Sequence, residues 1–251
     1  MDSFATTAQV YVAGLVFARI GAMVMLMPGI GEQAVPPRIR LAFALLIAVV
    51  LTPVVAKTVG PLPTTLGGLA GQVIHEILIG LMIGAVLKLF MSALTTAGEI
   101  ISLQTTLSFA QTTNPSGAPS STAIATFLSM LGLTLVMATD LHHLFIGAMA
   151  RSYELFPFTK SVPVNDAAAL AVRTVAQSFM LGVQLAAPVI VFSIVFNLAT
   201  GLVGRVMPSF QIFFVTSPLS VILGLSLLAL SLGGIAMVWS DRYRDLLGVF
   251  N

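Results

Sequence analysis

Cysteine is absent from the 251 residues. That removes disulfides and thiolate metal sites and leaves the redox compartment unaddressed. Charge is nearly as scarce. Asp, Glu, Lys and Arg together make up 8% of the chain against 57% hydrophobic residues, whereas a soluble domain carries roughly a quarter charged residues. With a mean hydropathy of +1.04, the class is a polytopic membrane protein rather than a soluble domain. The formal charge of +2 comes from eleven scattered Lys and Arg residues, too few and too dispersed for a nucleic-acid partner. The start, Met1-Asp2-Ser3, has no basic run of the kind that opens a cleavable leader, so the first apolar segment is expected to stay in the chain. No Walker A sequence, proton-relay chain, nucleophile–base pair or metal triad is present. The expectation is a protein that is not an enzyme and needs no cofactor.

The lack of charge is most pronounced in the middle of the chain, where nothing between Glu99 and Asp140 is ionisable. Residues 102–122 are rich in Ser, Thr, Gln and Asn, yet they stand between apolar helices. A loop bathed in bulk water usually carries Lys, Glu or Asp, so this uncharged polar insert reads as lining or blocking a path. Asn114-Pro115-Ser116-Gly117 is turn chemistry, because Pro sets φ at the second position and Gly supplies positive φ. Pro119 delays a new helix, and Ser120-Ser121-Thr122 can cap the next one. Non-helical backbone at membrane depth survives only against protein or water.

A span needs about 20 apolar residues, and six candidates emerge: 10–27, 41–56, 66–94, 123–139, 168–203 and 212–239. The fold expected is all-α, a polytopic bundle of long, broken helices and helical hairpins. Pro28-Gly29 ends the first candidate and Pro36-Pro37 precedes the second. The third fits poorly, since helical character over 66–106 would give a rod of about 60 Å; it must break or rise beyond the bilayer. The fourth is barely long enough. Six crossings put Arg38, Arg40 and Arg205 on one side and Lys57, Arg151, Lys160, Arg173, Arg242 and Arg244 on the other. The positive-inside rule therefore leaves orientation open.

Several polar positions stand out against this background. Arg19 lies in mid-span, where insertion costs about 2.5–3.5 kcal/mol. It therefore needs a partner, either helix-end carbonyls or a carboxylate on a neighbouring helix, or else it serves transport directly. His75-Glu76 resembles the start of a zincin pair, but the second His would have to stand where Ile79 is. Asp140, His142 and His143 are three potential ligands at a helix end. Adjacent histidines diverge by about 100° around a helix, so they are read as an interfacial turn and no metal is expected. Lys88, Ser92, Thr95, Glu99, Ser102 and Thr106 fall within about 40° of one line at 100° per residue. They form a polar stripe leading into the insert, either a seam buried against another helix or the lining of a hydrated passage. Gly80 and Gly84 allow close helix approach. Arg205 and Pro208 mark a polar turn between the last two apolar stretches, which makes a hairpin of them.

These residues resemble the FliR family of flagellar type III export-gate proteins, which has counterparts in virulence injectisomes. The landmarks are Pro28-Gly29-Ile30-Gly31-Glu32, Val35-Pro36 and the residues from Arg38 to Leu41. They continue through Glu76 to Gly84, Ala97 to Gln104, Leu107-Ser108-Phe109-Ala110, Asn114-Pro115 and Gly117, and Asp140 to Leu144. The last are Gly204-Arg205 to Pro208, Gln211-Ile212-Phe213 and Pro218-Leu219. Their order and spacing, rather than any one of them, carry the likeness.

The resemblance implies a noncatalytic subunit of a protein-conducting channel at the bacterial inner membrane, in the flagellar basal body. One such chain would complete a helical ring with FliP and FliQ, pass unfolded export substrates, and meet a downstream membrane protein of the apparatus. It implies a FliP-like part over 1–165 and a FliQ-like C-terminal hairpin over 166–251. The family's channel-closing plug maps onto about 109–121, including Phe109, Gln111, Thr112, Thr113, Asn114, Pro115, Ser116 and Gly117. Arg19, Glu76, Arg205 and Pro208 would be structural or interface residues. The alternatives are the corresponding subunit of an injectisome and, from the broken spans alone, a secondary transporter.

Overall fold

A computed structural model of the chain describes residues 7–32, 34–56, 59–60, 62–108, 121–158, 164–207 and 211–248. Among these residues all regular structure is helical, in the order α1 (Thr7–Leu26), α2 (Pro37–Val55), α3 (Leu66–Gln104), α4 (Ala123–Ala138), α5 (Leu141–Leu155), α6 (Val164–Val206) and α7 (Ile212–Gly248). Five of them are long and apolar enough to cross a membrane, or six if α4 and α5, bent by 74° at their junction, count as one broken span. The chain is thus an all-α polytopic membrane protein.

Local chemistry explains where the helices start and stop. Pro36 is extended, with ψ 139°, and hands over to Pro37 at the first helical position of α2, where a missing N–H is not needed. Thr122 caps α4 by accepting from the Ala125 amide, as its place after Ser120-Ser121 suggests. At the other end of α4, Asp140 adopts the left-handed conformation at φ 58°, which Asp tolerates better than most residues. That single inversion turns the chain into α5.

The helix lengths decide one open alternative and correct two expectations. The third span does not break but runs on: α3 is unbroken for 39 residues, about 58 Å at 1.5 Å per residue, longer than a bilayer core is thick. The last two spans are longer than their apolar runs. α6 continues through Pro188 for 43 residues and α7 through Pro218 for 37. Finally, the stretch after Asp140 is a full helix of 15 residues rather than a turn. Its Leu141, Phe145, Ala148, Met149 and Ser152 share one buried face.

The chain forms two compact units. In the first, Met1–Phe90, Asp140–Val175 and Asp245–Asn251, the core contains Leu15, Val16, Ile20 and Met23 of α1, Ile79 and Ile83 of α3, and Phe145 and Met149 of α5, each at most 2% exposed. Here α1 and the first part of α3 pass at Gly80. A Cβ there would lie 2.8 Å from the Ala22 Cβ and closer still to the Arg19 carbonyl oxygen. In the second unit, Met91–Thr139 and Ala176–Arg244, Leu94, Ala97, Ile101, Leu128, Trp239 and Tyr243 are fully buried. Gly98 lets α3 approach the backbone of α4, since a Cβ at that position would stand 2.6 Å from the Ala125 nitrogen. Such small-residue passes are how helices associate where apolar surface alone gives no preference over lipid.

Candidate functional site

The second unit holds both ends of the uncharged insert. Most of the positions expected to form the plug, Phe109, Gln111, Thr112, Thr113, Asn114, Pro115, Ser116 and Gly117, lie outside the described residues, but the roots on either side are described. On the α3 side the helix ends at Gln104. Thr105 then turns its hydroxyl back to the Ile101 carbonyl at 2.9 Å. Thr106 takes the left-handed conformation, φ 60°, at the place where helices usually carry glycine. Its amide donates to the Leu103 carbonyl at 3.3 Å, and the Ser108 amide donates to the Ser102 carbonyl at 3.3 Å. A β-branched residue in this conformation is strained. It persists only where its surroundings over-determine it.

Those surroundings are specific. Thr105 is buried, and its methyl group occupies the space that a Cβ at Gly224 of α7 would need. The Gln104 side-chain oxygen accepts from the Ser193 hydroxyl of α6 at 2.8 Å. Asn197, one turn further along α6, donates its amide N–H to the same hydroxyl oxygen at 3.2 Å. Asn197 thereby satisfies the Ser193 oxygen and leaves its proton to point at Gln104. On the α4 side, a Glu99 carboxylate oxygen accepts from the backbone amide of Thr122 at 2.9 Å. Both ends of the insert are therefore held by side chains that reach across to another element.

The stripe along α3 is graded. Lys88 and Ser92 are exposed, Thr95 and Glu99 half-buried, and Ser102 fully buried. Thr95 shares a hydrogen bond of 3.0 Å with Ser129 of α4. Thr106 lies past the helix end, so the helical part of the stripe stops at Ser102. The hydroxyls of Ser102 and Thr106 are buried without a hydrogen-bond partner among the described residues. Arg205 sits exposed in the last turn of α6, where its charge suits the helix dipole, and Pro208 falls outside the described residues.

Within the first unit, Arg19 is 0% exposed and Glu76 1%. The guanidinium is bidentate on the carboxylate, Nε to Oε2 at 2.6 Å and Nη2 to Oε1 at 3.0 Å. It also donates to the Ser152 carbonyl at 2.8 Å and the Phe156 carbonyl at 2.9 Å, at the C-terminal end of α5. The Tyr153 ring lies 4.1 Å from the guanidinium carbon. Both kinds of partner weighed from the sequence are thus present at once. Tyr11 bonds Gln72 on the same pair of helices.

A family model described as bacterial export proteins, family 1, matches residues 10–246. The chain is 79% identical over 250 residues to the flagellar biosynthetic protein FliR of Caulobacter vibrioides, covering all of both chains. It is 31% identical to the FliR of Escherichia coli over 84% of this chain and 80% of that one. It is 30% identical to the FliR of Aquifex aeolicus over 94% and 91%. The chain belongs to the FliR family of bacterial export proteins.

For this FliR-family chain, the resemblance read from the sequence landmarks and the match across nearly its whole length agree. Sequence reasoning missed the Gln104–Ser193 contact and the packing of Gly224 against Thr105, because each joins residues far apart in the chain and no spacing links them. Asp140, His142 and His143 are closer than expected. One ligand atom of each lies within 4.8 Å of the others, and the imidazole rings, 4.1 Å apart and tilted by 37°, do not diverge. Asp140 and His143 remain largely open to solvent, at 75% and 68% side-chain exposure, as in an ordinary solvated turn.

Proposed function

We propose that this chain is a noncatalytic subunit of the flagellar type III protein export gate at the bacterial inner membrane, in the basal body. In this reading it forms part of the wall of a protein-conducting channel with FliP and FliQ, hands substrates on to a downstream membrane protein of the apparatus, and closes the channel with a plug over about 109–121. Residues 1–165 are the FliP-like part and 166–251 the FliQ-like hairpin; the division falls at the start of α6. The observation that carries the reading is the charge-free insert with side-chain ties at both of its roots. A seal for unfolded polypeptides must pack and hydrogen-bond without presenting a fixed charge that would trap the chain passing it.

Apolar faces on the outside of the helices support the assembly. On α2, Leu45, Leu46, Val49, Val50 and Val54 are 55–68% exposed, and on α6 the row Val191, Ile194, Val195, Leu198 and Leu202 is 54–71% exposed. Such faces suit lipid or other helical subunits. Substrate movement is passive here, with the energy supplied by other components. The flagellar form is favoured over the injectisome form because the relatives are flagellar by name. A secondary transporter would show coupled uptake with the purified chain alone. Deleting residues 111–118 should raise the leakage of small solutes through the assembled gate; unchanged permeability in a correctly assembled variant would sink the plug.

A further inference from the structure

We propose that the exposed face of α2 is a docking surface for an anionic phospholipid, with Arg38 and Arg40 taking the headgroup phosphate and the apolar row beyond them taking an acyl chain. The surface lies within the first compact unit, and the proposal is independent of the insert and of any plug.

α2 divides cleanly around its axis. Ala44, Ile47, Ala48 and Val55 are buried, whereas Leu45, Leu46, Val49 and Val50 are 55–64% exposed. At 100° per residue, Arg38, Ala42, Leu45 and Val49 fall within about 60° of one another. Arg38 therefore stands at the head of the exposed row rather than to one side of it. From Arg38 to Val50 the row is about 18 Å long at 1.5 Å per residue, close to the half-thickness of about 15 Å of a bilayer core. A phospholipid lying along α2 with its phosphate at Arg38 would keep an acyl chain on apolar surface through one leaflet.

The head of the row concentrates unmatched positive charge. Pro36 provides no side-chain cap, and no acidic residue lies in the first turn. Arg38 and Arg40 stand there instead, adding to the partial positive charge of the helix dipole rather than offsetting it. Arg38 is exposed, and its backbone N–H, at the second helical position, has no intrahelical acceptor. Arg40 is half-buried. Its Nη1 reaches the Met25 sulfur at 4.0 Å, a weak acceptor, and its Nε is buried with no partner among the described residues. Neither arginine makes an ion pair among the described residues, and the nearest acidic residue along the chain, Glu32, makes none with them.

The chemistry of the row selects lipid over a protein helix. Helices that associate within a membrane use small residues for close approach and polar ones for hydrogen bonds. Between Leu41 and Leu51 this helix carries no polar side chain, and its exposed row is built chiefly from Leu and Val. A phosphate, by contrast, matches the fork of N–H groups on a guanidinium, and a phospholipid joins that phosphate to a chain of the right length.

The test counts lipids retained by the detergent-purified full-length chain, by native mass spectrometry, with phosphatidylglycerol and phosphatidylcholine of identical acyl chains offered in equal amounts. An arginine near an anionic headgroup is worth about fivefold, so wild type should prefer phosphatidylglycerol by about fivefold to twentyfold, less so as salt rises. Arg38→Gln should cut the preference by about fivefold, Arg38→Lys should keep most of it, and Arg38→Gln with Arg40→Gln should abolish it. Leu45→Ala with Val49→Ala should weaken both lipids alike and leave the preference unchanged. The circular dichroism of each variant checks its fold. No preference in wild type, or an undiminished one in the double arginine variant, overturns the proposal. Should that variant not fold, a wild-type preference that does not fall from low to high salt overturns it equally. Displacement of phosphatidylglycerol by inorganic phosphate at equal concentration would mark a soluble-anion site and sink the lipid assignment. Loss of co-purification with FliP and FliQ in the double arginine variant, with its lipid preference intact, would give the arginines to a subunit interface instead.

Discussion

Replacing Glu76 with alanine removes the one carboxylate that faces a guanidinium with no exposed surface. The two carbonyl acceptors, Ser152 and Phe156, would remain in reach of Arg19, but they carry no net charge. The Tyr153 ring at 4.1 Å contributes about 0.5–2 kcal/mol at most. Breaking one side of a buried pair costs about 3–5 kcal/mol because the partner is left charged and desolvated. The bidentate geometry puts Glu76→Ala in that range rather than below it. The double variant Arg19→Met with Glu76→Leu behaves differently. It removes both charges and leaves two carbonyl acceptors and the His75 Nδ1, which meets the Glu76 carboxylate at 3.2 Å in the wild type, to account for. The Ser152 carbonyl keeps the Phe156 amide as a donor. The Phe156 carbonyl loses Arg19, at a cost of about 1–3 kcal/mol. The double change should therefore be milder than Glu76→Ala alone, and Glu76→Gln should fall between wild type and Glu76→Ala. The assay is unfolding of the detergent-purified protein in mixed micelles of increasing SDS fraction, followed by far-UV circular dichroism. Glu76→Ala within about 1 kcal/mol of wild type, or a double variant worse than the single, would show that water reaches the pair and would refute the reasoning.

Other substitutions separate close packing from open helix surface. Gly80→Ala should destabilise by about 1–3 kcal/mol, because its Cβ meets the Arg19 carbonyl and Ala22. Gly14→Ala on the same helix pair meets nothing within 4 Å and should gain up to about 1 kcal/mol from helix propensity, read in the same SDS titration. Gly224→Ala should destabilise through its clash with the Thr105 methyl. Adding Thr105→Ser, which deletes that methyl and keeps the hydroxyl bond to Ile101, should recover most of the loss in a double-mutant cycle. Thr106→Gly should raise the thermal midpoint modestly. Relief of the left-handed strain, about 1–2 kcal/mol, exceeds the entropic cost of glycine, about 0.5–1 kcal/mol; a lowered midpoint would remove strain at that residue from the account.

How much of this was legible in the sequence follows from the range of each signal. Spans, caps and stops are local, so Pro28-Gly29, Pro36-Pro37 and Thr122 mark their helix ends. The need of Arg19 for a partner could be read from its place in an apolar run, but not which partner, because Glu76 and the α5 carbonyls are brought to it by packing. The helix at Leu141–Leu155 was masked by its polar first turn. Asp140, His142 and His143 suggested a loop, while the buried face recurring at Leu141, Phe145, Ala148 and Ser152 carried the opposite signal at helical spacing. The continuity of α3 was obscured by its length. A rule scaled to bilayer thickness asks a 39-residue helix to break, whereas nothing in its residues breaks it: between Leu66 and Gln104 there is no proline. The Gln104–Ser193 contact had no signal at all, since 89 residues separate its partners.

The polar residues that this chain does bury fall into two energetic classes, and the division bears on the proposed gate. In the first unit a full charge pair is closed off from water with every described donor and carboxylate oxygen engaged. Breaking it costs several kcal/mol. At the roots of the insert, in the second unit, the comparable contacts are one carboxylate on a backbone amide and one hydroxyl on a side-chain amide, beside the Ser102 and Thr106 hydroxyls, which have no partner among the described residues. Each such bond is worth about 0.5–3 kcal/mol net, and the strained Thr106 subtracts from the sum. The proposed gate, a frame that holds while one segment yields, calls for this inequality in this order. Exchanging the classes, with an ion pair at the roots of the insert, would produce a seal that closes but does not open.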